Sequence, residues 1–151
     1  MDFTFDNFVH KDFNINNLLY LPSRKRHLKC GIVDYQNAFW GECCWDLFSL
    51  LEDSRIDFSN KFNNYYINMY YQHTKQKISL EEFKIKYNFL NCSRQTRLLG
   101  RWVKLSKELN KKKYLDFIDV TKKKLFYGLR EIENNELRFF YTELMPEFRN
   151  A

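Results

Sequence analysis

The sequence predicts a mainly α fold with one small β-hairpin near its start. Two short apolar runs, Leu18 to Leu21 and Lys29 to Tyr35, flank the polar stretch PSRKRHL, and from Gly41 onward the apolar residues recur at helical spacing. No Ser/Gly-rich linker, low-complexity tract or internal repeat interrupts the 151 residues. One domain, 1–151, is therefore expected, with a polar loop and the hairpin in 1–40 and a helical part in 41–151. A chain of this length buries roughly 70% of its unfolded surface. Its 44% apolar and 19% aromatic content is enough to fill a core, and excludes a disordered chain.

The hairpin turn is opened by Pro22, whose ring fixes φ and which has no N–H to donate to a ladder. Antiparallel pairing brings the loop entering the first strand and the residue leaving the second to one end of the pair. Asp12 and Asn17 lie in that loop and Asp34 at that exit, so the three are expected to converge.

Five helices are expected after the hairpin. Cys44, Leu47, Phe48 and Leu51 follow the i, i+3, i+4, i+7 pattern, and Phe58, Phe62, Tyr65, Tyr66 and Met69 repeat it as aromatic core. Ser79 followed by Glu82 is a capping box opening a third helix that buries Phe83 and Tyr87. A fourth carries Leu98, Trp102 and Leu105 and ends near Asn110, with Gly100 marking a break or a close crossing. A fifth carries Leu125, Leu129 and Ile132.

Net charge is +6, but the basic runs Lys111 to Lys113 and Lys122 to Lys124 are local, and such runs are usually solvated faces. With no RNP, KH or zinc-finger pattern, nucleic acid is not the expected partner. No apolar stretch reaches the roughly 20 residues that span a bilayer, and MDFTFDNF carries acids where a signal peptide carries bases. A cytoplasmic protein with no membrane partner is expected, and its cysteines, Cys30, Cys43, Cys44 and Cys92, read as reduced, buried thiols. The lack of a CxxC pair speaks against zinc held by His27, Cys30, Cys43 and Cys44.

The stretch VHKDFNINN holds the chemistry. A carboxylate within reach of a hydroxyl accepts its proton as that oxygen attacks phosphorus. An amide oxygen and a second carboxylate supply hard ligands for magnesium, which binds through few protein groups, water and phosphate. Asp12, four residues, Asn17, with Asp34 ending a second strand, is the spacing used by kinase catalytic loops. Each residue also has a structural reading: Asp12 and Asn17 as turn formers, His10 as a hydrogen-bonded brace, Asp46 as an acid favoured in the first turn of a helix. Asp34 is the least easily explained this way, because a carboxylate ending a buried strand is costly without a cation or donors.

Three ordered blocks, VHKDFNINNLLYLP, GIVDYQNAFWGECCWDLFSLLEDSR and RQTRLLGRWVKL followed by KKKYLDFI, resemble the aminoglycoside phosphotransferase or choline-kinase-like family. The resemblance runs from about Val9 to Leu144 and is nearest the branch that phosphorylates N-acetylmuramate and N-acetylglucosamine. It implies the C-terminal lobe of the protein-kinase-like fold and an ATP- and Mg2+-dependent phosphotransferase acting on an alcohol group. It implies Asp12 as catalytic base, Asn17 and Asp34 as magnesium ligands, and His10 as a loop brace. Asp46 matches the family aspartate that receives the catalytic-loop backbone. Asn37 departs from the acid that follows the glutamine of the family's DFQD block, and GECCWDL lacks the usual proline.

Protein kinases clamp ATP with a glycine-rich loop and a strand lysine in an N-terminal lobe. Only nine residues precede His10, and the four glycines form no GxGxxG cluster. The resemblance therefore implies a C-lobe without its N-lobe, inactive alone and completed by a separately encoded partner, acting on an amino sugar. A remnant or non-catalytic binding module is the competing expectation.

Overall fold

The fold comes from a computed structural model that describes residues 2–74 and 76–150. It is mainly helical with two small antiparallel sheets, and it divides into two compact units, 1–75 and 76–151.

In the first unit, β1 (Asn7–Val9) pairs antiparallel with β4 (Phe39–Gly41), and β2 (Leu18–Tyr20) pairs antiparallel with β3 (Cys30–Ile32). The hairpin forms where expected, with Leu18 opposite Ile32 and Tyr20 opposite Cys30. Its connection contains a 3-10 turn, Arg26–Lys29, in place of a plain loop. The second strand stops at Ile32, short of Tyr35, and Asp34 adopts φ 70°. The strand is not buried: Ile32 and Val33 are 47% and 39% exposed, so the expectation of a carboxylate ending a buried strand does not hold. The β1/β4 pairing was not expected, because it joins segments about thirty residues apart that carry no local turn signal.

The helix α1 (Trp45–Leu51) buries Phe48 and Leu51, and a ring cluster of Phe39, Trp45 and Phe48 joins it to β4. The helix α2 (Asn60–Thr74) corrects the expectation that its aromatic stripe is core. It buries Asn63 and Ile67, whereas Phe62, Tyr65 and Met69 are exposed and the rings of Phe58, Phe62 and Tyr66 lie against one another. The amide of Asn63 is tied inward, donating to Glu52 Oε1 at 3.0 Å.

In the second unit, α3 (Leu80–Glu108) opens on the expected capping box: Ser79 Oγ accepts from Glu82 N, and Glu82 Oε2 accepts from Ser79 N. This single 29-residue helix replaces the expected third and fourth helices. Gly100 neither breaks it nor marks a crossing, since it is exposed and an added Cβ would meet nothing within 4 Å. The crossing is at Gly128 on α4 (Ile118–Glu131), where a Cβ would stand 2.8 Å from Cys92 Sγ on α3. Trp102 stacks on Tyr114 of the 3-10 turn Lys112–Phe117 and donates its Nε1–H to Thr121 Oγ1 at 3.0 Å. A further helix, α5 (Asn135–Leu144), and the 3-10 turn Pro146–Asn150 complete the unit, with Cys92, Leu125, Leu129, Tyr141 and Phe148 forming its core. None of the four cysteines is in a disulfide. Cys44 and Cys92 are buried as expected and Cys43 is half-buried, but Cys30 on the hairpin is exposed, correcting that assignment.

Candidate active site

The loop leaving β1 is fixed by the first turn of α1. Asp46 Oδ2 accepts the backbone N–H of His10 at 2.8 Å, and Oδ1 accepts that of Lys11 at 3.1 Å. Trp45 Nε1–H adds a bond to Lys11 O at 3.4 Å. These bonds hold Lys11 at φ 76°, a left-handed conformation that a residue with a Cβ adopts only when its surroundings compensate. Burial pushes the Asp46 carboxyl above its usual range, outweighing the lowering effect of the two N–H donors.

His10 is 3% exposed, and its Nε2 lies 2.9 Å from Val33 O. A carbonyl only accepts, so this nitrogen carries the proton. The bond ties the loop to the strand exit one residue before Asp34.

A 3-10 turn, Ile15–Asn17, then feeds β2, capped by Asn14, whose Oδ1 accepts from Asn16 N. Val33 N donates to Asn17 O at 3.1 Å, so the hairpin register sets the spacing between Asn17 and Asp34. Asn17 Nδ2 donates to Asp12 O at 2.8 Å and reaches Asp34 Oδ2 at 3.4 Å. Asp12, Asn17 and Asp34 are thus gathered at one end of the β2/β3 pair. Asp46 stands behind the loop, and His10 bridges loop and strand exit.

The donor set suits a hard cation. Asn17 turns its Nδ2 toward both Asp12 O and Asp34 Oδ2, so its Oδ1, which accepts no hydrogen bond among the described residues, reaches a cation shared with Asp34 only when the amide rotates. Asp34 is exposed; Gln36 Nε2 donates to its Oδ1 at 2.6 Å. Among the described residues no three His, Cys, Asp or Glu side chains form a metal-holding group, the Cys30 region included. A cation bridging Asn17 and Asp34 would keep most of its coordination for water or phosphate. That is the habit of magnesium and unlike that of zinc. Asp12 Oδ1 accepts from Asn14 Nδ2 at 2.9 Å, while its Oδ2 is free among the described residues.

Two residues of this cluster escaped sequence reasoning. Asn14 reads as one more turn-forming asparagine in NINN, and Gln36 has no signal beyond its place two residues after Asp34. On the hairpin, a shallow open depression of about 310 Å³ is lined by Ile15, Leu18, Leu19 and Tyr20 together with Arg26, His27, Lys29 and Cys30.

Comparison with known proteins gives an independent line. Residues 6–79 match the profile of the phosphotransferase enzyme family, so the match takes in all five of His10, Asp12, Asn17, Asp34 and Asp46. The chain is similar to an N-acetylmuramate/N-acetylglucosamine kinase of Caulobacter vibrioides, 30% identical over 111 residues that cover 74% of this chain and 30% of the relative. It is also similar to a kinase of the same name from Neisseria meningitidis serogroup B, 26% identical over 112 residues, covering 71% of this chain and 32% of the relative. The chain spans about a third of the length of these curated relatives.

Proposed function

We propose, from the match of residues 6–79 to the phosphotransferase enzyme family, that this chain carries the catalytic loop of an ATP-dependent kinase acting on a hydroxyl of an amino sugar. The observation that carries the reading is the convergence of Asp12, Asn17 and Asp34 on one exposed edge, with Asn17 bonded to both neighbours. Names of the two relatives supply the acceptor class, N-acetylmuramate or N-acetylglucosamine.

In this reading Asp12 Oδ2 takes the proton of the sugar hydroxyl as the new O–P bond forms and the bond from the γ-phosphorus to its bridging oxygen breaks. ADP leaves with that electron pair. Asn17, with its amide rotated to offer oxygen, and the Asp34 carboxylate would hold Mg2+, which would neutralise phosphate charge. Asp46 and His10 act one step back. They fix the loop so that Asp12 meets the hydroxyl without reorganising, and positioning is most of what phosphoryl transfer asks of a protein. The open apolar depression on the hairpin would be the seat for a nucleobase in this reading. A nucleotide-clamping half outside these 151 residues completes the enzyme, and the protein works in the cytoplasm where ATP is.

The test is phosphate transfer from ATP and Mg2+ to either sugar. It is run with the chain alone and with the product encoded immediately upstream. Turnover is expected in the mixture and to fall about 10²- to 10⁴-fold in Asp12→Ala. Turnover indifferent to that substitution, or saturable sugar binding that needs neither ATP nor Mg2+, would sink the kinase reading and leave a binding module.

A further inference from the structure

We propose that Asn14 is the positioning residue for the base of this site, aiming the Asp12 carboxylate so that only Oδ2 faces the acceptor; the inference rests on the kinase reading above. Asn14 is 2% exposed. It therefore cannot touch a substrate and must act through what it holds. Its Nδ2 donates to Asp12 Oδ1 at 2.9 Å and to Asp12 O at 3.0 Å. Its Oδ1 accepts from Asn16 N at 3.0 Å, and its own backbone N–H donates to Asp12 O at 3.0 Å.

The consequence is geometric. An exposed aspartate ordinarily samples several χ1 wells, and a base that must be found by rotation loses the benefit of a preset approach. The amide of Asn14 grips the Asp12 side chain and its own carbonyl at once, so carboxylate and backbone cannot turn independently. With Oδ1 occupied, Oδ2 remains for the hydroxyl proton. The amide orientation is fixed too, because a flipped Asn14 would set its oxygen against both Asp12 acceptors and its NH2 against the Asn16 N–H.

Two substitutions separate clamp from turn. Asn14→Ser keeps an oxygen that can cap Asn16 N but loses the two-pronged donor. Asn14→Asp keeps the cap and sets a carboxylate against the Asp12 carboxylate. The first readout needs no activity: χ1 scalar couplings of Asp12 by NMR in the full chain, with the backbone amide fingerprint as the control for folding. One rotamer is expected in the wild type and averaging in both variants, with His10 and Lys11 amides unmoved. The second readout is turnover in the completed enzyme, where kcat should fall about 10²-fold while KM for the sugar stays within a few-fold, a split that general loss of structure does not produce.

Asp12 remaining in one rotamer in Asn14→Ser, or kcat and KM changing together, would overturn the clamp. If Asn14→Ser frees the rotamer but Asp12→Ala leaves turnover intact, the clamp is real and the kinase reading fails. If Asp12→Ala abolishes turnover and Asn14→Ser changes neither rotamer nor kcat, the reverse holds.

Discussion

Asp46, in the first turn of a helix, accepts the backbone N–H groups of both His10 and Lys11, at 2.8 and 3.1 Å, across 36 and 35 residues of sequence. One carboxylate thus fixes two successive peptide units immediately before Asp12. Hydrogen bonds to a charged acceptor contribute about 1.5 to 3 kcal/mol, so Asp46→Ala should lower unfolding free energy by about 2 kcal/mol. It should also speed hydrogen exchange at the His10 and Lys11 amides. Unchanged exchange at those amides would mean that the loop is held by something else.

The same carboxylate sets a pH dependence. Burial raises its pKa above the usual 3.8, so between that value and the folded pKa the native chain binds more protons than the unfolded one. Stability contributed by Asp46 therefore falls as pH rises through this window and is constant above it. Asp46→Asn does not titrate there. The stability of wild type relative to Asp46→Asn should accordingly be greatest below pH 3.8 and decline with rising pH, as followed by urea unfolding at a series of pH values. A difference that grows in favour of wild type would show that the N–H donors, not burial, dominate.

What could be read from the sequence was local, and what was missed was mostly long-range. The Ser79/Glu82 capping box and the hairpin are encoded by residues within a few positions of one another, and both formed as read. The stripe of Phe62, Tyr65 and Met69 has the helical period yet is exposed, because periodicity says that a face is apolar and not that anything covers it. The helix α5 has its own N-cap, with Asn134 Oδ1 accepting from Leu137 N, a start signal that the sequence carries locally. The spacing in HKDFNINN predicts that Asp12 and Asn17 meet, and the Asn17 amide does reach Asp12 O. The roles of Asn14 and Gln36 were not legible, since a turn-forming asparagine and a clamping one look alike until burial is known.

Ser79 supplies a simple check on that local code. Its hydroxyl satisfies an N-terminal N–H that α3 cannot satisfy itself. Ser79→Ala should cost about 1 kcal/mol and Ser79→Gly only a few tenths, measured by urea unfolding. Equal losses would mean the side-chain cap is not what matters.

Gly100 and Gly128 should respond with opposite sign to the same substitution. An alanine at 100 fills empty space on an exposed helix interior and should stabilise by about 1 kcal/mol. At 128 the added Cβ would press on the buried Cys92 sulfur at 2.8 Å, so Gly128→Ala should destabilise by about 1 to 3 kcal/mol. Thermal melts of the two variants decide it. A stabilised Gly128→Ala would mean that α3 and α4 separate readily at this crossing.

Gln36 should matter to cation binding without touching the cation. Its Nε2 donates to Asp34 Oδ1 at 2.6 Å, holding a carboxylate that stands on a left-handed residue at φ 70°. Outer partners of ligating carboxylates typically change metal affinity about 10- to 100-fold when removed. With Mn2+ as the paramagnetic substitute for magnesium, EPR titration in the presence of ATP should show Gln36→Ala weakened about 10-fold and Asp34→Asn losing the site. Asn17→Leu should lose it as well, since it removes the amide oxygen together with the bond to Asp12 O. Circular dichroism should remain that of the wild type in all three. If Asp34→Asn binds Mn2+ as wild type does, the cation is held elsewhere, and the Gln36 contact merely settles the strand exit.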